Sequence, residues 1–216
     1  MVSRTLLLLP LLLFACSSGN PNDIVFYKAP IVVVDGRSHT RTLLVTGAGA
    51  ALGVEQDAAG GFWIREGTVE PDDTKPLLAD LWSTRHIREK AVGADPSSGV
   101  YQISARVNHQ ELSFRRYVDE PVAKKVASAV SRLDRIWEAL PQPEDQVGAI
   151  EKFLPSKIAR IRGYAVNALL SAWRSPVLSE EDRNSAQSAL SSHELVETNH
   201  QILKTLHQAL KKSPPR

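Results

Sequence analysis

The chain has 216 residues, 43% of them apolar and 23% charged, enough to bury a core without a metal or disulfide staple. Its single cysteine excludes an internal disulfide and any multi-cysteine zinc or iron–sulfur site. The 26 Lys and Arg against 24 Asp and Glu leave a net charge of +2, which excludes a dedicated nucleic-acid binder with one strongly basic face.

Residues 1–16 read MVSRTLLLLPLLLFAC. Arg4 precedes an apolar run from Leu6 to Ala15, which is too short to span a bilayer and fits the hydrophobic part of a secretory signal. Leu13, Phe14, Ala15 and Cys16 resemble the lipobox of bacterial lipoprotein precursors. That resemblance implies cleavage before Cys16, a diacylglycerol on its sulfur and an acyl chain such as palmitate on its new amino group. One chain alone holds a protein reversibly, whereas several make the anchor nearly permanent. Phe14 is bulkier than the commonest residue at its place in that family. Residues 16–23 form a short polar tether, and the resemblance implies that Ser17 permits transfer to the outer membrane. The expectation is a lipid-anchored, periplasm-facing outer-membrane protein; the inner membrane and the cell surface stay open as alternatives.

From Asp23 to Tyr117 the texture is strand-like. Residues 24–27 and 31–34 are β-branched or aromatic runs, and Asp35-Gly36 is a turn signal. Residues 42–45 and 62–64 follow as strands. Residues 101–107 and 112–114 alternate apolar with polar, with a turn expected at Asn108-His109. Between these, residues 72–90 carry Leu77, Leu78, Leu81, Trp82 and Ile87 at helical spacing. Strands, one helix and two more strands predict an α+β domain over 24–141, built on a small mixed or antiparallel sheet with one or two helices. Gly61-Phe62-Trp63-Ile64, the acidic run from Glu70 to Asp73 and the Leu-rich helix together resemble a domain of uncharacterised function in gliding-motility auxiliary proteins.

From Asp119 the pattern is helical. Val122, Val126, Val130, Leu133, Trp137 and Leu140 share one helix face, begun by Pro121 and ended by Pro141 and Pro143. Four shorter helices are expected at 144–154, 157–174, 180–190 and 193–212, with capping boxes at Ser179 to Asp182 and Ser191 to Glu194. An offset of 37 residues superposes Ala149 on Ala186, Phe153 on Leu190, Ile158 on Leu195, Ala159 on Val196 and Leu169 on Leu206. This pattern resembles HEAT repeats, and a generic helical bundle accounts for it as well. Residues 144–212 are therefore expected to form a helical hairpin repeat segment that offers a surface to a partner.

Residues Leu43 to Gly53 resemble the glycine-rich loop of short-chain dehydrogenases, where a strand ends in glycines beneath a dinucleotide. The residues after Gly53 do not continue a helix, and no Tyr has Lys four positions later. A hairpin or small-residue loop is the expectation, with no cofactor. His193, His200 and His207 lie seven apart with Glu197 between the first two, and are expected on a solvated helix face. Basic clusters at 85–90, 115–116 and 124–125 read as solvated surface, and the four Trp as core. Neither G-x-S-x-G nor H-E-x-x-H occurs. The preferred expectation is a non-enzymatic scaffold or assembly factor with an envelope protein partner, no metal and no nucleic acid. The alternative is a small-ligand or glycan-binding lipoprotein that uses Trp63 or Trp82 as a stacking surface. A hydrolase with a dispersed site is a third reading.

Overall fold

A computed structural model describes residue 20 and residues 22–34, 36–85, 100–117 and 124–211. The elements in order are β1 (Ile24–Lys28), β2 (Val32–Val34), β3 (Arg37–Thr46), β4 (Ala50–Asp57), β5 (Phe62–Thr68), α1 (Pro71–Ser83), β6 (Val100–Val107), β7 (Gln110–Tyr117), α2 (Lys124–Ala139), α3 (Gln146–Glu151), α4 (Ala159–Arg174), α5 (Glu180–Glu194) and α6 (His200–Leu210). The strands form one antiparallel sheet in the order β5-β4-β3-β1-β6-β7, with β2 paired to β3. The expected α+β class is what the chain adopts.

Alternation places two apolar sets on the two sheet faces. Ile24, Leu44, Leu52, Val54, Phe62 and Ile64 bury one face against α3 to α6, through Ile150, Phe153, Leu169, Trp173, Leu190 and Leu206. Val25, Tyr27, Leu43, Val45, Ile103 and Phe114 bury the other against Leu77 and Leu81 of α1 and Val126, Leu133 and Trp137 of α2. Helices therefore cover both faces. The segment expected at 144–212 supplies the second cover of the sheet. Ala149 and Ala186, Phe153 and Leu190, and Leu169 and Leu206 are buried, whereas Leu195 and Val196 are exposed where Ile158 and Ala159 are part-buried.

The glycine-rich stretch is a hairpin. β3 ends at Thr46, Gly49 turns the chain with φ of +89°, and β4 returns. β4 escaped the sequence reading because small residues hide its alternation. Gly53 lies under the ring of Trp137, and a Cβ there would sit 2.6 Å from the indole Cζ3. The strand is starved of side chain because an indole fills that place. The β6–β7 turn is as expected, with φ of 48° at Asn108 and 64° at His109.

Helix bounds differ from expectation where caps intervene. α1 ends at Ser83, and residues 86–90 of the expected helix lie outside the described residues. α2 begins at Lys124; Pro121 and Val122 also lie outside them. Ser179 caps α5 by accepting from the Asp182 amide, as expected. The expected capping box at Ser191 to Glu194 lies inside α5 instead. The chain breaks at 195–199, where Asn199 Oδ1 accepts from the amides of Gln201 and Ile202 and starts α6. Asp80 of α1 accepts from Lys125, Ser128 and Arg132 of α2, which tie the two helices together. Burial opposes its ionisation, and those three donors outweigh it to hold the carboxyl below its ordinary range.

Candidate functional site

The first described residues wedge into one end of the sheet. The Gly47 amide donates to the Asp23 carbonyl at 2.6 Å, and the Asn108 amide donates to the Asp23 carboxylate at 2.9 Å. The chain thus enters between the β3–β4 and β6–β7 turns, and the buried Asp23 fixes it there. The other end of β3 pairs with β2, with Val33 opposite Ser38. Eight residues of strand separate Ser38 from Thr46, about 26 Å at the usual rise. At that far end Ile31 is 60% and Val33 67% exposed, rare for β-branched side chains next to a sheet.

Pro30, between these residues and β1, lines two adjoining cavities beneath α2. The smaller, of about 270 Å³, is walled by Tyr27, Arg41, Asp134, Trp137 and Glu138. The larger, of about 450 Å³, shares Tyr27, Asp134 and Glu138 and adds Tyr101, Val130 and Arg135. The Tyr27 hydroxyl donates to Asp134 Oδ1 at 2.9 Å. Burial and the neighbouring carboxylate push the Tyr27 hydroxyl up, so it stays a donor. Burial also raises the Asp134 carboxyl, aided by Glu138 and opposed by Tyr27 and Arg41. Arg41 lies 5.7 Å and Arg65 5.8 Å from the Trp137 ring centre, and Arg41 Nε is 3.3 Å from Glu55. The pair of cavities offers a ligand two carboxylates, two guanidiniums and two phenols around an indole edge.

Because Asp134 ionises less readily folded than unfolded, its charge opposes folding above its folded pKa, and that penalty fades as the pH falls from there towards the unfolded value, below which it is gone. Asp134→Asn keeps an oxygen for Tyr27 to donate to. Its thermal midpoint is expected to rise at pH 7, with the gain shrinking towards pH 4. A variant less stable than the parent at pH 7 would contradict this account.

His193 lies in α5 and His200 and His207 in α6, with Glu197 in the turn between, so they do not share one stripe. His193 and Glu197 are buried, which corrects the expectation of a solvated face. Arg162 of α4 donates to Glu197 through Nε and Nη2, both at 2.8 Å, and its Nη1 donates to the Ser156 carbonyl. His193 Nε2 lies 2.9 Å from Glu197 Oε2, and the amides of Thr198 and Asn199 donate to Oε1. The Arg162 guanidinium first, then the Asn199 amide and His193, lower the Glu197 carboxyl to about 2 against the opposing effect of burial. His207 pairs with Glu194 at 2.9 Å, and His200 is exposed at the start of α6. The sequence signal for this knot was the His193–Glu197 spacing; its cation, Arg162, comes from another helix and left no local mark. A hollow of about 400 Å³ beside it is lined by Leu154, Pro155, Val196 and Thr198.

Trp137 and Trp173 are buried, as expected. Trp63 and Trp82 are half-buried: His39 stacks on Trp63 at 5.5 Å and Arg85 covers Trp82 at 4.5 Å. Both rings already have a partner on one face. Leu13, Phe14, Ala15 and Cys16 lie outside the described residues, as do 86–90 of one basic cluster. Among the described residues no three His, Cys, Asp or Glu side chains converge on a metal position, and no helix is long and apolar enough to cross a membrane. Comparison with protein-family models, with curated proteins and with solved structures finds no match to this chain.

Proposed function

We propose that the chain is a lipid-anchored envelope protein that works as a non-enzymatic docking subunit, held to the membrane through Cys16 and engaging a protein partner at its far end. One observation carries the reading: the exposed Ile31 and Val33 stand at the end of β3 opposite to where the chain enters. A tether through Asn20 turns that end away from the bilayer. Exposed apolar side chains on a strand are suited to an apolar, strand-like contact from a partner.

Two expected outcomes test this. Cys16→Ala should move the protein from the membrane fraction to the soluble periplasm, read by fractionation. Ile31→Asp with Val33→Asp should leave the fold and the anchoring intact but lose the partner that the parent captures in cross-linked envelopes. Capture of the same partner in the same amount by the double variant would overturn the far-end docking reading.

The cavities around Tyr27 and Asp134 favour a second reading, a polar small ligand such as a sugar. Their volumes suit one, and their wall mixes apolar surface with a few convergent polar groups. A ligand there would change the fluorescence of Trp137. The two expected stacking residues, Trp63 and Trp82, do not line these cavities.

A further inference from the structure

We infer that the turn carrying Leu195 and Val196 is a lipid-seating element, dipping into the headgroup boundary of the bilayer that holds Cys16. The inference rests on the anchor reading above. Leu195 is 86% and Val196 72% exposed, more than any other large apolar side chain among the described residues. They are adjacent in sequence, and Leu154 and Pro155 flank Val196 across the neighbouring hollow. The turn is not loose. Glu197, the next residue, is locked to Arg162, His193 and two backbone amides. A buried ion-pair knot thus holds two apolar side chains out into solvent, an arrangement with no benefit to the fold alone.

The position of this turn selects lipid as its occupant. The first turn of α4 is fixed to the β6–β7 hairpin by Arg160, which donates to Ser104 at 2.6 Å, pairs with Glu111 and lies 5.2 Å from the Phe26 ring centre. Asn108 of the same hairpin holds Asp23, where the chain enters. Arg162, two residues further along α4, carries the Leu195–Val196 turn through Glu197. The turn and the tether therefore share one end of the molecule. Only four residues lead from Cys16 to Asn20, a reach of about 14 Å at full extension. With Cys16 in the bilayer, this end has no option but to face it closely. Exposed Lys157 lies in the loop before α4, on the same side, where anionic headgroups would attract it. Apolar side chains on a surface held this near a bilayer lower their free energy by entering the interface.

The test uses the lipidated protein in vesicles of phosphatidylethanolamine and phosphatidylglycerol. Cys16 is the one cysteine in the sequence and its sulfur carries the lipid, so Leu195→Cys provides a single free thiol for a polarity-sensitive fluorophore. Val177→Cys serves as the comparison; Val177 is 59% exposed near Ser175, which bonds Gly60 at the β4–β5 turn. The expected result is a blue-shifted emission at 195, quenched by nitroxide on lipid chains and shielded from aqueous iodide, with the reverse at 177. Val196→Cys should behave like 195. A label at 195 that stays water-exposed on vesicle-bound, lipidated protein would overturn the seating inference while leaving the anchor intact. Protein with an unmodified Cys16 that fails to float with vesicles would overturn both. Unmodified protein that still floats with a buried label at 195 would support the seating and overturn the anchor.

Discussion

A chain ended at Pro143 is expected to lose its cooperative unfolding transition altogether. Such a cut removes α3 to α6 and bares Ile24, Leu44, Leu52, Val54, Phe62 and Ile64, all at most 5% exposed in the whole chain. Each large side chain returned to water costs about 1.5–3 kcal/mol. Six of them match or exceed the roughly 5–15 kcal/mol by which a domain is stable. The cut also removes Tyr164, whose hydroxyl donates to the strand carbonyls of Thr42 and Leu52. The measurement is urea unfolding followed by far-ultraviolet circular dichroism and by tryptophan emission. A truncated chain with a sigmoidal transition of parental slope would show that the sheet and α2 stand alone. For the same reason, loss of a partner on truncation says nothing about where that partner docks, whereas the Ile31 and Val33 substitutions leave the core untouched.

Glu197→Ala is expected to lower stability by about 3–5 kcal/mol, the usual consequence of leaving one buried charge without its partner. The Glu197 side chain is fully buried and that of Arg162 is 15% exposed, so water compensates little. The substitution strands the guanidinium, the Thr198 and Asn199 amides and the His193 ring together. Glu197→Gln keeps acceptors for the amides and should fall between the two. The pH dependence has a definite sign. The folded carboxyl lies at about 2 against 4.5 for the free group, so the folded state gains about 3 kcal/mol wherever the unfolded carboxyl is ionised. That gain is present above about pH 4.5 and is lost as the pH falls towards 2. The parent should therefore lose stability over that window, and the loss should be markedly smaller in Glu197→Ala. Parallel profiles for the two proteins would refute the assignment of the acid transition to Glu197.

Local chemistry made much of the architecture legible. Alternation marked β6 and β7, and Asn108-His109 marked their turn because two positive φ angles suit those residue types. Apolar residues at helical spacing marked α1, α2 and α4, and Ser179 marked the start of α5. The candidate sites were far less visible. Ile31 and Val33 read as part of an ordinary strand, because a β-branched run carries no sign of which face lacks a cover. The cavities around Asp134 join β1, β3 and α2, three segments distant in sequence, so no local spacing could point to them.

By itself the sequence determined the order of strands and helices apart from β4, and the turn residues, since each depends on neighbours a few positions apart. Tertiary structure alone decided three further matters. Gly53 belongs to a strand because Trp137, 84 positions later, occupies the space its side chain would take. The C-terminal helices close the sheet because two apolar faces, each incomplete, lower their free energy by meeting. Glu197 is buried and ionised because Arg162 reaches it from another helix. Burial and charge pairing are properties of segments brought together, and a chain read one window at a time does not contain them.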